Sequence, residues 1–327
     1  MPALNALLTG LVDFAGLFPP AGLDMPSAVR AYADYRQGPH ARMLGSFVVP
    51  AGRLPEFETA LMALGAEDPA GRAWPVSVLA GDTVDTDIGR ALRFTPSAGR
   101  GPAVQVVSIE VKADTAFSVA RAMALVPRAM TMAVEIPLSL RREDRRSVLR
   151  AVKSAGRLAK LRTGGVTPAS IPSPEQVAEF IWDCARAPVP FKATAGLHHP
   201  VRAEQRLTYA ADSPRAVMHG FLNVFLAAAA AWRAVRSGAA PETLAPPPAV
   251  VGILEERDAS SFTFDGSAIR WRGVEFTAAE IARARTGLAR SFGSCSFVEP
   301  VSGLEALGWL PRRQGGDRSG PEGPACM

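Results

Sequence analysis

Residues 130–165 read MTMAVEIPLSLRREDRRSVLRAVKSAGRLAKLRTGG. Its ends, MTMAVEIPL (130–138) and LAKLRTG (158–164), are short apolar runs with the length and composition of strands. Between them REDRRSVLRAVKSAG carries an amphipathic helical pattern. Strand, helix and strand in so short a span make one βα unit of a parallel sheet.

The same cadence runs outward in both directions. Upstream, LVDFAGLF (11–18), MLGSFVVP (43–50), WPVSVLAG (74–81) and VQVVSIEVKA (104–113) alternate with helical stretches such as MPSAVRAYADYR, LPEFETALMAL and AFSVARAMAL. Downstream, SPEQVAEFIWDCA leads into VPFKATAG (189–196), and ARSFGSCSF (289–297) supplies an eighth strand candidate. Several runs are apolar throughout rather than alternating, as strands covered on both faces are. Eight units predict an α/β chain closed into a (β/α)8 TIM barrel. An open doubly wound sheet would place G-x-G-x-x-G after its first strand, whereas the turn here reads AGLFPPAGLD.

The seventh and eighth runs stand about 90 residues apart, far more than one helix needs. A long helix is expected over roughly 214–236, then a proline-rich break from Pro241 to Pro248. In SFTFDGSAIRWRGVEFT, Asp265-Gly266 between alternating runs signals a β-hairpin. The expected organisation is one barrel domain over 1–312, an insertion with a hairpin at 237–276, and a disordered polar tail over 313–327.

Composition excludes several functions. The net charge of +5 comes from scattered arginines, and the densest cluster, Arg141-Arg142-Glu143-Asp144-Arg145-Arg146, mixes both signs. With only 7% aromatic residues there is no one-signed, aromatic-interleaved stripe for a nucleic acid. No run approaches the ~18 uninterrupted apolar residues of a membrane span. Cys184, Cys295 and Cys326 show neither metal nor redox spacing, and an odd count without a framework suits a reducing cytosol. The expectation is a cytoplasmic protein that contacts neither nucleic acid nor membrane, with homo-oligomer formation left open.

Of the 36 Lys+Arg residues only Lys112, Lys153, Lys160 and Lys192 are lysines. Lys160 and Lys192 nevertheless sit inside apolar strand runs, where burial disfavours the charged form. A lysine can do what an arginine cannot: lose its proton near neutral pH and attack a carbonyl. Polar groups gather where a barrel builds its site, at the carboxyl ends of strands: Asp13, Glu110 with Lys112, Glu135, Lys160 with Arg162, Lys192 with Thr194, and Ser294 with Ser296. Residues two apart on a strand share a face, so Glu110 is expected to point with Lys112 and Lys160 with Arg162. On neighbouring strands Lys160 and Lys192 would repel, leaving one as a free amine, while a nearby carboxylate would oppose this and shuttle protons.

Three of the four histidines, His198, His199 and His219, fall close together. Adjacent loop histidines do not readily share one metal, and neither H-x-H nor H-E-x-x-H occurs, so acid–base work or anion contact is the expected use. His219 is expected within the apolar helix. Cys295 reads as packing beside the eighth strand, with no base at a defined spacing.

AVEIPLSLRREDRRSVLRAVKSAGRLAKLRTGG (133–165) resembles the fifth and sixth βα segments of deoxyribose-phosphate aldolases, where a strand ending in Glu-Thr is followed by a helix and then by Lys-Thr-Ser-Thr-Gly. VPFKATAGLHH (189–199) is similar to that family's next strand, Phe-Lys-Pro-Ala-Gly-Gly, and SFGSCSF (291–297) to its last, Gly-Thr/Ala-Ser-Ser. LVDFAGL (11–17) is similar to its opening strand, which carries an aspartate. The resemblance is close over residues 130–196 and holds elsewhere in outline. It implies a class I aldolase barrel in which Lys160 matches the Schiff-base lysine, Lys192 the second lysine that tunes it, and Glu110 the catalytic aspartate.

The chain also departs from that pattern. Glu110 is one methylene longer than aspartate, Arg162 replaces a small serine, Ala195-Gly196 replaces Gly-Gly, and His198 and His199 have no counterpart. The expectation is therefore a carbon–carbon lyase forming a lysine imine with a small, anionic carbonyl substrate, with no cofactor and no metal. Lys160, Lys192, Glu110 and Glu135 are the expected catalytic groups. Asp13, Lys112, Arg162, Thr163, Gly164, Thr194, Gly196, His198, His199, Gly293, Ser294 and Ser296 are the expected substrate contacts. Two alternatives stand beside it: a metal-dependent barrel enzyme using His198 or His199 with Glu110 and Glu135, and a non-catalytic barrel that binds an anion through Arg162, Lys112 and Lys192.

Overall fold

Each of the eight apolar runs becomes a strand in the computed structural model, which describes residues 1–65, 72–94, 102–238 and 244–311. The first seven are β1 (Val12–Phe14), β2 (Leu44–Pro50), β3 (Trp74–Leu79), β4 (Val104–Lys112), β5 (Thr131–Glu135), β6 (Leu158–Arg162) and β7 (Phe191–Thr194). A hairpin of β8 (Ala203–Arg206) and β9 (Arg215–Met218) and a meander of β10 (Phe262–Phe264), β11 (Ala268–Trp271) and β12 (Val274–Thr277) come before the eighth barrel strand, β13 (Ala289–Ser294). Strands β1 to β7 and β13 pair in sequence, all parallel, and β13 closes the ring on β1. The fold is the expected TIM barrel.

The helices are α1 (Pro2–Leu8), α2 (Met25–Gln37), α3 (Leu54–Leu64), α4 (Val84–Arg93), α5 (Ala116–Leu125), α6 (Arg142–Ser154), α7 (Pro174–Arg186), α8 (Phe221–Arg236), α9 (Pro248–Glu255), α10 (Ala278–Gly287) and α11 (Val298–Ala306). On α6 the buried residues Arg145, Val148, Leu149 and Val152 repeat at helical spacing and form one stripe facing the sheet. Burial of a leucine such as Leu149 stabilises this contact by ~1.5–3 kcal/mol. The next helix, α7, begins at a capping box in which Ser173 and Gln176 satisfy each other's amides. Its buried surface runs almost all round, because α8 and α9 as well as the barrel pack against it.

The region between β7 and β13 departs from expectation in two ways. The long helix begins at Phe221 rather than near 214, because Arg215–Met218 is drawn into the hairpin with Ala203–Arg206. Gly220 marks the break: a Cβ there would lie 2.4 Å from the Pro200 carbonyl oxygen. The Asp265-Gly266 turn forms as expected, yet β12 adds a third strand to the hairpin. Buried Asn223 ties the insertion to the barrel, accepting from the Arg202 amide at 2.9 Å and donating to the Ile253 and Glu256 carbonyls at 2.7 and 2.9 Å. Among the described residues no helix is long and apolar enough to cross a membrane. The tail expected to be disordered, 313–327, lies outside the described residues.

Candidate active site

Register decides which charges meet. Glu135, Lys160 and Lys192 are aligned partners across β5, β6 and β7, so their side chains emerge on one face of three adjacent strands. Glu110 reaches the same group from β4 and Asp13 from β1. All five are buried: Lys160 is 3% exposed, Lys192 5% and Glu110 2%.

They form one chain of alternating sign. Asp13 Oδ2 lies 2.7 Å from Lys192 Nζ, which lies 2.6 Å from Glu110 Oε1. Glu110 Oε2 lies 2.8 Å from Lys160 Nζ, which lies 2.9 Å from Glu135 Oε2. Arg162 Nε donates to Glu135 Oε1 at 2.9 Å and ends the chain, with its side chain about half exposed. Three carboxylates and three cations balance, which is how so many charges remain together away from water. Ser77 donates to Glu110 Oε1 at 2.7 Å, and Asp13 accepts from the Ser46 amide at 2.8 Å and the Ser291 hydroxyl at 2.7 Å.

This geometry corrects the expectation that the two lysines repel until one is free. Glu110 stands between them and binds both. Burial by itself would lower the Lys192 pKa, but Asp13 and Glu110 outweigh it and hold the value above that of an ordinary lysine. Burial likewise opposes ionisation of Glu110, and the Lys160 and Lys192 charges overcome it, holding its carboxyl well below the usual range. Glu135 is also lowered, burial again losing to Lys160 and Arg162. Lys192 is thus a fixed ammonium.

A cavity of about 280 Å3 opens onto this chain. Glu110, Lys160, Arg162, Lys192, Thr194, Gly196, His198 and Gly293 from the expected set line it, joined by Ala195, Cys295 and the Phe18-Pro19-Pro20 lip. Glu135 and Asp13 lie behind the lysines. Lys112, in register with Glu135, ends β4 exposed and outside the lining, so it does not join Glu110 at the cavity.

The other expected contacts shape the walls. Thr163 donates its hydroxyl to the Ala195 carbonyl at 2.5 Å, so it holds the loop after β7 rather than facing the cavity. Gly164 and Gly196 pack backbone to backbone, since a Cβ on Gly164 would lie 2.9 Å from Gly196 Cα. Ala195 takes a φ of +63°, the left-handed conformation that glycine enters freely. The loop therefore keeps a glycine-like path without the glycine. Ser294 accepts from the Ser296 amide at 3.3 Å, and Ser296 accepts from the Glu299 amide at 3.1 Å in the first turn of α11.

The histidines separate. His198 sits in the wall with Nδ1 2.7 Å from Glu299 Oε2 and Nε2 3.9 Å from Cys295 Sγ. His199 is half-buried outside the lining, and burial lowers its pKa. His219 lies just before α8 rather than within it, its Nε2 2.8 Å from the Pro172 carbonyl and its pKa lowered by burial. Neither His198 nor His199 joins Glu110 and Glu135, and no cluster of three or more metal-ligating side chains occurs among the described residues.

Ser77, Cys295 as a partner of histidine, Tyr209 and Glu299 are the site residues that sequence reading missed. Ser77 and Tyr209 carry no motif of their own, and the pairing of Cys295 and Glu299 with His198 joins segments about 100 residues apart. Comparison of the chain with protein-family models, with curated proteins and with solved structures gave no match.

Proposed function

We propose that this protein is a carbon–carbon lyase of class I aldolase type, resembling deoxyribose-phosphate aldolases, acting through an imine on Lys160. The observation that carries the reading is Lys160 itself: a buried lysine lining a cavity, ion-paired to two carboxylates at 2.8 and 2.9 Å. An ion pair and its neutral counterpart differ by one proton moved across that short gap. Transfer to Glu110 or Glu135 frees the amine lone pair to attack a carbonyl carbon. The nitrogen then loses a second proton, the carbinolamine oxygen leaves as water, and the protonated imine accepts the electron pair of the breaking carbon–carbon bond.

In this reading Lys192 stays an ammonium and holds Glu110 in place, and Glu110 passes protons to and from the reacting atoms. Arg162 at the mouth suits a carboxylate or phosphate on the substrate, since its guanidinium is half exposed and only Nε is used by Glu135. The cavity volume fits a small molecule of a few carbons. No observation favours the metal reading, because the oxygens of Glu110 and Glu135 are taken by cations.

The test is borohydride reduction in the presence of small phosphorylated aldehydes and 2-oxo acids, followed by peptide mass mapping. An adduct on Lys160 is expected for at least one compound and none in Lys160→Arg, which keeps the charge but cannot form an imine. Adducts confined to other lysines, or none, would sink the imine.

A further inference from the structure

The cavity has a second reactive end that the imine route leaves unused. Cys295 follows β13 at the rim and lines the same cavity as Lys160 and Lys192. His198, from the loop after β7, presents Nε2 to its sulfur at 3.9 Å and Nδ1 to Glu299 Oε2 at 2.7 Å. A nucleophile, a base within reach and a carboxylate orienting that base is the recurring arrangement of an activated thiol. The loop after β7 supplies the base, and the segment that runs from the end of β13 into α11 supplies the thiol and, four residues on, the carboxylate.

We propose that Cys295, His198 and Glu299 form a second covalent centre in this cavity, in which the Cys295 thiolate reversibly captures the carbonyl carbon of a small aldehyde. Sulfur forms the new bond to carbon while the carbonyl π pair moves onto oxygen. That oxygen takes the Nε2 proton of the His198 imidazolium, leaving a hemithioacetal and a neutral histidine. Reversal expels the aldehyde and returns the proton, so no oxidant or further reactant is needed. The centre stands independently of the imine on Lys160.

The charges facing the pair agree. Burial alone would lower the His198 pKa, but Cys295 and Glu299 together push it up to about 10. Glu299 is held low against burial by His198, with His199 and Tyr209 adding to the effect. Burial, and then the charges of Cys295 and Glu299, raise the Tyr209 pKa. Burial, with the His198 charge, lowers the His199 pKa against the pull of Glu299. Cys184 is the contrast: fully buried, with a pKa raised by burial and then by Asp183, it has the environment of an inert thiol.

Iodoacetamide alkylation of the full chain, followed at Cys295 and Cys184 by peptide mass mapping between pH 5 and 9, tests the pairing. A thiolate–imidazolium pair predicts that Cys295 reacts nearly as fast at pH 6 as at pH 8, with Cys184 unmodified. His198→Gln and Glu299→Gln should each cut the pH 6 rate by about tenfold or more. Glu299 is partly exposed, so its variant is the safer for folding, and the wild-type profile needs no variant. A Cys295 rate that climbs about tenfold per pH unit toward the ordinary thiol pKa, or one indifferent to both substitutions, would overturn the pairing.

Propanal then tests capture. Protection of Cys295 from iodoacetamide that disappears once borohydride has consumed the free aldehyde supports the hemithioacetal. Absence of protection, or protection that borohydride makes permanent as a lysine adduct, overturns it. A Lys160 adduct without thiol protection, and thiol protection without a Lys160 adduct, tell the failure of one centre from the failure of the other.

Discussion

Two buried carboxylates set the proposed reactive site against a structural one. In the insertion, Glu256 accepts from the Trp271 indole at 3.0 Å, from Arg272 Nε at 2.7 Å, and from the backbone amides of Arg257 and Asp258, both at 3.1 Å. Despite burial these donors pull its pKa down to about 2. None of them can give up its proton near neutrality. In the barrel, Glu110 is held by two lysine ammonium groups and a serine hydroxyl, and it faces a cavity. Both are satisfied, but in the proposed reaction Glu110 exchanges a proton with one of its partners, Lys160, while Lys192 stays charged. A carboxylate locked by backbone, indole and guanidinium fixes a fold, whereas one held by amines beside open space has the setting that the proposed imine chemistry requires.

The comparison is tested most severely at Glu110. Glu110→Gln removes the proton acceptor and leaves both lysines short of a partner. The rate of borohydride-trapped adduct formation is expected to fall by ~10²–10⁴-fold, the usual contribution of a positioned acid–base group. A folded variant that forms adduct at the wild-type rate would reduce Glu110 to a structural carboxylate like Glu256.

Glu256→Gln should do the reverse. Losing charge-assisted bonds at a buried site is expected to cost about 2–3 kcal/mol in denaturant unfolding, with adduct formation unchanged. Because the folded pKa of Glu256 is depressed, its stabilisation is complete above the ordinary value of 4.5 and is lost as pH falls toward about 2. The stability gap between wild type and Glu256→Gln should therefore shrink as pH drops through that window. A gap that stays constant would mean that the carboxylate charge is not what holds the meander.

What was legible in the sequence follows the same division. Barrel strands are buried on both faces, so runs such as MLGSFVVP and MTMAVEIPL announce themselves by apolarity alone. Lys160 and Lys192 stood out because their charge interrupts such runs. Glu299 was invisible, since 101 residues separate it from His198 and nothing in α11 marks it. Asn223 and Glu256 were equally silent, because the groups they satisfy, main-chain amides and carbonyls with the Trp271 and Arg272 side chains, are brought together only by the fold. The β8–β9 hairpin was missed for a further reason: AEQR and RAVM are short, half exposed and without the β-branched runs that mark strands.

The two regions also share a strained backbone, and there the smallest prediction lies. Ala195 beside the cavity and Arg272 in the meander both have positive φ, +63° and +45°. A side chain in this conformation costs roughly 1–2 kcal/mol relative to glycine, partly offset by the greater freedom of glycine in the unfolded chain. For Arg272 the cost is met by its bond to Glu256, so Arg272→Gly should destabilise the protein despite relaxing the turn. The Ala195 methyl makes no such bond, and the loop is held by main-chain contacts instead, Ala195 N to the Gly293 carbonyl at 3.3 Å and Ala195 O to Thr163. Ala195→Gly is therefore expected to stabilise by about 0.5–1 kcal/mol in denaturant unfolding. Opposite signs for the same change would show that strain in the meander is balanced by a side-chain contact, while strain at the cavity is retained without one. Destabilisation of both would mean that the Ala195 methyl packs the cavity wall as firmly as Arg272 binds its carboxylate.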